Sequence, residues 1–431
     1  MFTTHKLMGA GGVGGSDPYW ITVAGSSANE LIKGIAQSSS GDVYIAGNTN
    51  TTGTYQAIVA KFGSSDGVFQ WAKSTTYAAA PYNSSDHNDI YPLSSGNLII
   101  SGLGEVSSNN RDWYIKEVNP SGVVQWGIRL AGGNSDYGYG ISVDSSGNIY
   151  CAGISNINLS LSGNLVKLSS SGTLQWQRSI GVTSTWLRST EVGSSGNVYA
   201  LGYTDNVSGT NYCLVAKWNA SGVLQWQRLI QPSTGASYDG GLVIDASENI
   251  YVGLSLGGAG SVMKFNSSGV LQWQKTISNT IDVTSVSLSG TGIFFHGNST
   301  TSGNYAPVVG EMDYSGNVIW SNRFIYNSTP ADTYTTKVKI TSKGDICLSM
   351  NTYATGAGGI DTVVARLPPD GTGTGSYGGL NYAAFSVTSS NSSATILTSS
   401  LSEGSANLSA SSYNGTDTTL VLSELNYPIT P

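Results

Sequence analysis

SSGVLQWQ, residues 267–274, is written again as ASGVLQWQ at 220–227. Looser copies stand at SSGTLQW (170–176), PSGVVQW (120–126), SDGVFQW (65–71) and YSGNVIW (314–320). A tight glycine turn opening into an apolar run that carries a tryptophan is the mark of a strand leaving a hairpin. The six tryptophans, Trp71, Trp126, Trp176, Trp226, Trp273 and Trp320, recur every 47–55 residues. That period overrides the two or three domains that 431 residues would otherwise suggest.

A second marker lies between two apolar runs: SSGD (39–42), SSGN (94–97, 145–148 and 194–197), ASEN (246–249), LSGTG (288–292) and SKGD (342–345). It occurs seven times, and its flanks alternate or are β-branched, as in ISVDSSGNIYCAG and LVIDASENIYVGL. A third strand such as NLVKL or CLVAKW follows, and then the SG turn and the tryptophan strand. Each unit is four strands, A to D, and no stretch shows helical periodicity. Four-stranded antiparallel units at this period are the blades of a β-propeller, so an all-β, seven-bladed ring is expected.

Seven A–B turns against six tryptophan strands leave one strand to find. The seventh unit ends at DTVVARLPPDGTGTG (361–375) with no tryptophan after it. DPYWITVAG (17–25) places Trp20 one period, 51 residues, before Trp71. The N-terminal strand is therefore expected as the fourth strand of the last blade, closing the ring and covering what would otherwise be an open sheet edge. The seven tryptophans are architectural: a large rigid ring bridges to the next sheet, and each is worth roughly 4–6 kcal/mol as an upper bound if fully buried. Trp226→Ala is then expected to cost on the order of 3–5 kcal/mol.

AKFGSSDGVFQW (60–71) and AKWNASGVLQW (216–226) resemble the tryptophan-docking motif of quinoprotein-like propellers. VDSSGNIYCAG (143–153) resembles the short repeats of bacterial SBBP-type propellers. The resemblance spans residues 17 to about 375 and implies a fold rather than an activity. A quinone-dependent dehydrogenase is not expected, because Cys151, Cys213 and Cys347 are far apart and acidic residues are sparse. The three cysteines, each within an apolar run, read as buried free thiols. No cofactor and no metal site are expected.

Charged residues make up only 10% of the chain, against about 25% in an ordinary soluble domain, and Ser, Thr, Asn and Gly replace them. A net charge of −7 with no basic stripe argues against nucleic acid as a partner. No run of about 18 apolar residues offers a membrane span, and MFTTHKLMGAGGVGG lacks the apolar core of a secretory signal. No zinc-protease, phosphate-loop or nucleophile-elbow motif is present, and GAGGVGG neither follows a strand nor opens a helix. SSDHND (84–89), with Asp86, His87 and Asp89, reads as a solvated loop.

Residues 1–16 are expected to lie outside the ring, as an anchoring peptide (Phe2, His5, Lys6, Leu7, Met8) on a glycine tether. This leader resembles those of structural proteins of marine tailed bacteriophages. The resemblance implies a non-enzymatic virion component, in the tail, a fibre or an adaptor, held by other virion proteins through the leader. The remainder, 376–431, is Ser/Thr-rich with three alternating runs, YAAFSV, ATILTS and TLVLSEL. It is expected to form a small β extension, packed on the propeller or joining a second copy in a homo-oligomer. The A–B and C–D turns are expected to be tight, and the B–C and D–A loops long and varied. The long loops carry Tyr82, Asp86, His87, Asp136, Tyr137, Tyr139, Trp186, Tyr238, Asp239 and Tyr334, aromatic rings and carboxylates suited to a host-surface glycan or a protein. A secreted or surface-attached lectin using the same loops is the alternative, and a polysaccharide hydrolase with paired carboxylates near the axis is a third reading.

Overall fold

The repeated turn has a simple cause. In N-x-S-G, the Asn219 carboxamide oxygen accepts the backbone N–H groups of Ser221 and Val223, and Gly222 takes a left-handed φ of 76°. Asn119 and Asn266 repeat the device, and Asp313 serves it in YSGN. The A–B turn uses Asp the same way: Asp144 accepts from Ser146 and Asn148 and from the Tyr150 hydroxyl at 3.1 Å. Each blade is thus punctuated by side chains that satisfy turn backbone and fix strand register.

The computed structural model describes residues 2–6, 19–25, 28–50, 53–75, 84–108, 110–132, 134–157, 160–181, 184–207, 210–231, 240–301, 304–326, 333–341, 344–352, 359–377, 380–392, 394–398, 403–404, 409–412 and 417–419. Seven antiparallel sheets are arranged as blades, each a meander from the inner strand A to the outer strand D. Blade 4 is representative: Thr185–Val192, Val198–Val207, Thr210–Trp218 and Leu224–Gln231. The inner strands of successive blades touch around a central axis, and that of blade 7 touches that of blade 1. Apolar clusters lie between blades, as where Tyr199, Leu201 and Val215 of blade 4 meet Leu242, Val252 and Met263 of blade 5. This is an all-β, seven-bladed propeller, as the repeat count requires.

Closure follows the expected route. The strand β2 (Trp20–Ala24) pairs with Asp361–Leu367 as strand D of blade 7. Every motif tryptophan then lies over the positive-φ glycine of the next blade's C–D turn. A Cβ added at Gly67, Gly122, Gly172, Gly222, Gly269, Gly316 or Gly371 would fall 2.3–3.2 Å from the ring of Trp20, Trp71, Trp126, Trp176, Trp226, Trp273 or Trp320, in that order. The indole N–H of Trp226 donates to Ser267 O at 3.2 Å and that of Trp273 to Tyr314 O at 3.1 Å. At the seam, Arg366 reaches Ser64 O of blade 1 at 2.9 Å while holding Asp345 of its own blade in a 2.5 Å ion pair.

The leader departs from expectation, while the tail takes one of the forms expected of it, a β extension packed on the propeller. Residues 2–6 form the strand β1 (Phe2–Lys6), which pairs antiparallel with β2 and so belongs to blade 7, although the leader was expected outside the ring. Leu7 and Met8 lie outside the described residues. The tail is not one appendage but a belt. Leu380–Ala384, Ser389–Asn391, Thr395–Thr398, Glu403–Gly404, Ser409–Ser412 and Asp417–Thr419 add a fifth strand to blades 6, 5, 4, 3, 2 and 1 in turn. The physical reason is shared: each strand D leaves an open edge, and spare β-compatible chain pairs with it. The tail covers six such edges and β1 covers the seventh.

The loops also differ. In blades 2 to 6 the B–C connections are hairpins whose paired ends enclose two residues, such as Val207↔Thr210 and Leu256↔Ala259. Length on that side of the molecule comes from the D–A loops, joined by the B–C loops of blades 1 and 7.

Candidate functional site

The inner strands are not regular. In six blades the A–B register shifts at one equivalent position, which places Lys33, Asn88, Tyr139, Arg188, Thr284 and Thr336 in bulges. A bulge re-aims a side chain. Here the bulged residues of neighbouring blades meet: Lys33 Nζ donates to Asn88 Oδ1 at 3.2 Å, and the Arg188 guanidinium stacks 4.1 Å from the Tyr139 ring centroid. All six bulges lie on the inner strands, toward the ends that the D–A loops enter.

Blades 3 and 4 add an aromatic arc to this ring. Tyr137 and Tyr139 stack at 6.4 Å with planes 6° apart, and Trp186 lies 6.4 Å from the first and 6.2 Å from the second. Trp186 stacks in turn on Tyr203, its cross-strand partner, at 5.5 Å. Arg188 sits within 5.8 Å of three of the four rings. Tyr137, Tyr139, Trp186 and Arg188 are half-buried, so the arc is open to the channel mouth. On the other side, Asn88 Nδ2 donates to Gly138 O at 2.7 Å, and Lys33 forms an ion pair with Asp86. Burial pushes the Tyr139 hydroxyl well above the usual tyrosine range, with Arg188 opposing.

Of the residues expected at a binding face, Tyr137, Tyr139, Trp186 and Asp86 come together here. His87 does not: it is fully buried, and its Nδ1 donates to Ile58 O of blade 1 at 2.9 Å. Burial, then the charge of Lys116, holds its pKa well below the usual imidazole value. SSDHND is no solvated loop, because Ser85–Pro92 is the inner strand of blade 2. Its polar side chains face the axis and the neighbouring blades, where backbone N–H groups and cations meet them. Asp89, for example, accepts Ile141 N at 3.0 Å and pairs with Lys337 at 2.5 Å. Asp136 is likewise internal and braces its loop by accepting Gly132 N at 2.6 Å and Asn156 N at 3.2 Å; burial raises its pKa to about 7. Tyr334 lies on the inner strand of blade 7 opposite Asn351. Tyr82, Tyr238 and Asp239 lie outside the described residues.

Sequence reasoning missed Arg188, Tyr203, Lys33 and Arg111, whose Nη1 donates to the Tyr137 hydroxyl at 3.2 Å. Toward the A–B end, Glu191 is raised by desolvation, with Lys339 and Lys337 pulling it down and Asp89 pushing it up. Among the described residues no group of three or more His, Cys, Asp or Glu side chains is placed to hold a metal. Cys151, Cys213 and Cys347 are free and buried, and burial raises the last two thiols to about 12.

Residues 125–160 match the family model of the SBBP β-propeller repeat. No curated protein matches the chain. Among solved structures, a protein of unknown function from Dyadobacter fermentans is 8% identical, with a TM-score of 0.48 over 80% of this chain and 96% of the other. Polysaccharide lyase Uly1 is 9% identical, with a TM-score of 0.49 over 78% and 90%. The tail fibre of Staphylococcus aureus phage P68 is 12% identical, with a TM-score of 0.28 over 55% and 51%. At such identities no activity passes from any of them to this chain.

Proposed function

We propose that this chain is a non-enzymatic β-propeller of a phage particle, held by its leader and presenting the D–A mouth of its channel to a glycan on the host surface. The observation that carries the reading is the open arc of Tyr137, Tyr139 and Trp186, backed by the buried Tyr203. Stacked half-buried rings, ringed by Asn88, Asp86 and Lys33, are the surface on which a pyranose face lies, with its hydroxyls reaching polar neighbours. A non-enzymatic role is supported by the state of the titratable groups near the axis. Asp86 and Asp89 are engaged by lysines, and His87 and His296 are sealed inside blades. The leader's resemblance to phage structural proteins supports the location. Among the described residues no strand pairs with the outer edge of β1, which suits that edge to a strand of a neighbouring virion protein.

Quantitative mass spectrometry of purified particles, medium and cell envelope tests the location. Enrichment with the capsid protein at fixed stoichiometry is expected. Recovery only from medium or envelope would overturn it and leave a surface-attached lectin using the same arc. The glycan role is tested by binding the purified chain to host envelope polysaccharide, which Trp186→Ala is expected to abolish without unfolding the ring.

A further inference from the structure

Arg188 differs from the other arginines of the repeat. Arg178 donates from Nε to Gly222 O and from Nη2 to Ser221 O, and Arg228 makes the same bonds to Gly269 and Ser268. Arg129 is paired with Asp112, and Arg366 with Asp345. Arg111 and Arg323 share with Arg188 a buried Nε without a partner, but Arg111 donates from Nη1 to Tyr137, whereas among the described residues nothing accepts a hydrogen bond from Arg188. A guanidinium held by its face keeps its N–H groups in the plane of the stack. The Arg188 guanidinium carbon lies over the rings of Tyr139, Trp186 and Tyr203, at 4.1, 5.0 and 5.8 Å from their centroids, and its two Nη groups, unlike the buried Nε, are left for something else. That fork matches a carboxylate.

We propose that the ligand of the arc is an acidic glycan, a uronic-acid polymer, with a sugar carboxylate on the Arg188 fork. The pyranose face lies along Tyr139 and Trp186. Charge is complementary: Lys33 and Asp86 offset one another, and Arg188 leaves one positive charge over. The inference rests on the glycan-binding reading and adds its ligand class.

Isothermal titration of the full chain at low salt tests it with three probes: tetragalacturonate, its fully methyl-esterified form and a penta-glutamate peptide. The acid is expected to bind at least about tenfold more tightly than the ester, since charged hydrogen bonds are roughly twice as strong as neutral ones. Arg188→Gln is expected to remove that difference, and the peptide to give no heat. The acid–ester comparison needs no variant, so it stands even if Arg188→Gln misfolds. Equal binding of acid and ester would overturn the acidic class while leaving the glycan reading in place, and binding of the peptide as tightly as the acid would overturn the carbohydrate class. If neither sugar binds, or Tyr139→Ala leaves sugar binding unchanged, both the inference and the underlying reading fail.

Discussion

Trp20 and Trp226 occupy the same motif position and are buried to different depths. Trp20 is 0% exposed because Lys6 of β1 pairs beside it and Phe62 stacks on it at 6.4 Å. Trp226 stays half-buried, because the belt strand of blade 4 pairs with Arg228–Gln231, past the tryptophan. Trp20→Ala is therefore expected to cost about 3–5 kcal/mol and Trp226→Ala about half that, less than full burial would give. Urea unfolding of the two variants measures the gap, and equal losses would refute the argument from burial. Asp361 gives a second test. It is 1% exposed, both its carboxylate oxygens are buried without a partner, and burial followed by the charge of Glu30 raises its pKa to about 7. An unfolded aspartate titrates near ~4, so between about 4 and 7 the folded protein holds the extra proton, and this residue's contribution falls as pH rises through that window. Asp361→Asn should match the parent below pH ~4 and exceed it above pH ~7 by on the order of a few kcal/mol. His296, lowered to about 3 by burial, acts oppositely, losing stability as pH falls from ~6.5 toward 3. The parent profile mixes the two signs, so the comparison must be between variants, and melting curves of Asp361→Asn that track the parent at every pH would exclude the effect.

Strands and their order were legible in the sequence because turn chemistry recurs: Asn or Asp before SG, and SSGN between alternating runs, fixed both hairpins of each blade. The site was only partly legible, and blade 4 shows why. Counting outward from the SSGN turn at 194–197 pairs Trp186 with Thr204, but the bulge at Arg188 moves the partner to Tyr203 and turns the guanidinium toward the arc. A bulge leaves no mark in alternation, so Arg188 and Tyr203 could not be placed. The inner strand SDHNDIYP escaped for a related reason: its polar side chains are satisfied by neighbouring blades, so it carries no hydrophobic pattern. The belt was legible only in part: alternating runs marked the strands on blades 6, 4 and 1, but those on blades 5, 3 and 2 pair over only two to four residues, too short for periodicity to show. Such short pairings predict local behaviour. Truncation after Val387 removes the belt from blades 1 to 5 and should speed hydrogen exchange at edge amides of Lys73–Thr75, Ile128–Ala131 and Arg228–Gln231, while strand B amides of the same blades stay protected. Unchanged exchange at those edges would mean that the belt does not cover them in solution.

At the scale of the ring, what distinguishes this molecule from a stack of sheets is that its first and last repeats share one blade. Strand D of blade 7 is β2, and among the contacts that tie it and its neighbours across the seam are Trp20 on Gly67, the Trp20 indole N–H to Ser64 O, the Thr22 hydroxyl to Gly67 O, and Arg366 Nη1 to Ser64 O. The chain runs on from β2 into the inner strand of blade 1, Glu30–Gln37, so the join without continuous chain lies inside blade 7, where β2 meets Asp361–Leu367 by hydrogen bonds and packing alone. Removing residues 17–25 therefore does more than delete a strand. It strips the outer edge from Asp361–Leu367, whose seven residues are all buried, and it leaves Arg366 and Asp345 at an opened seam. An exposed apolar edge recruits other chains. The expected outcome is a lower melting temperature together with concentration-dependent light scattering. Deleting residues 1–8 is the control, since it removes β1 but leaves β2 and the seam in place, and it should lower the melting temperature less and leave blade 7 paired. If the 17–25 deletion melted like the parent, the ring would be held by its blade-to-blade packing alone and the N-terminal strand would be decoration. If both deletions aggregated alike, the leader would be as much a part of the lock as β2, and the clasp would have to be redrawn to include it.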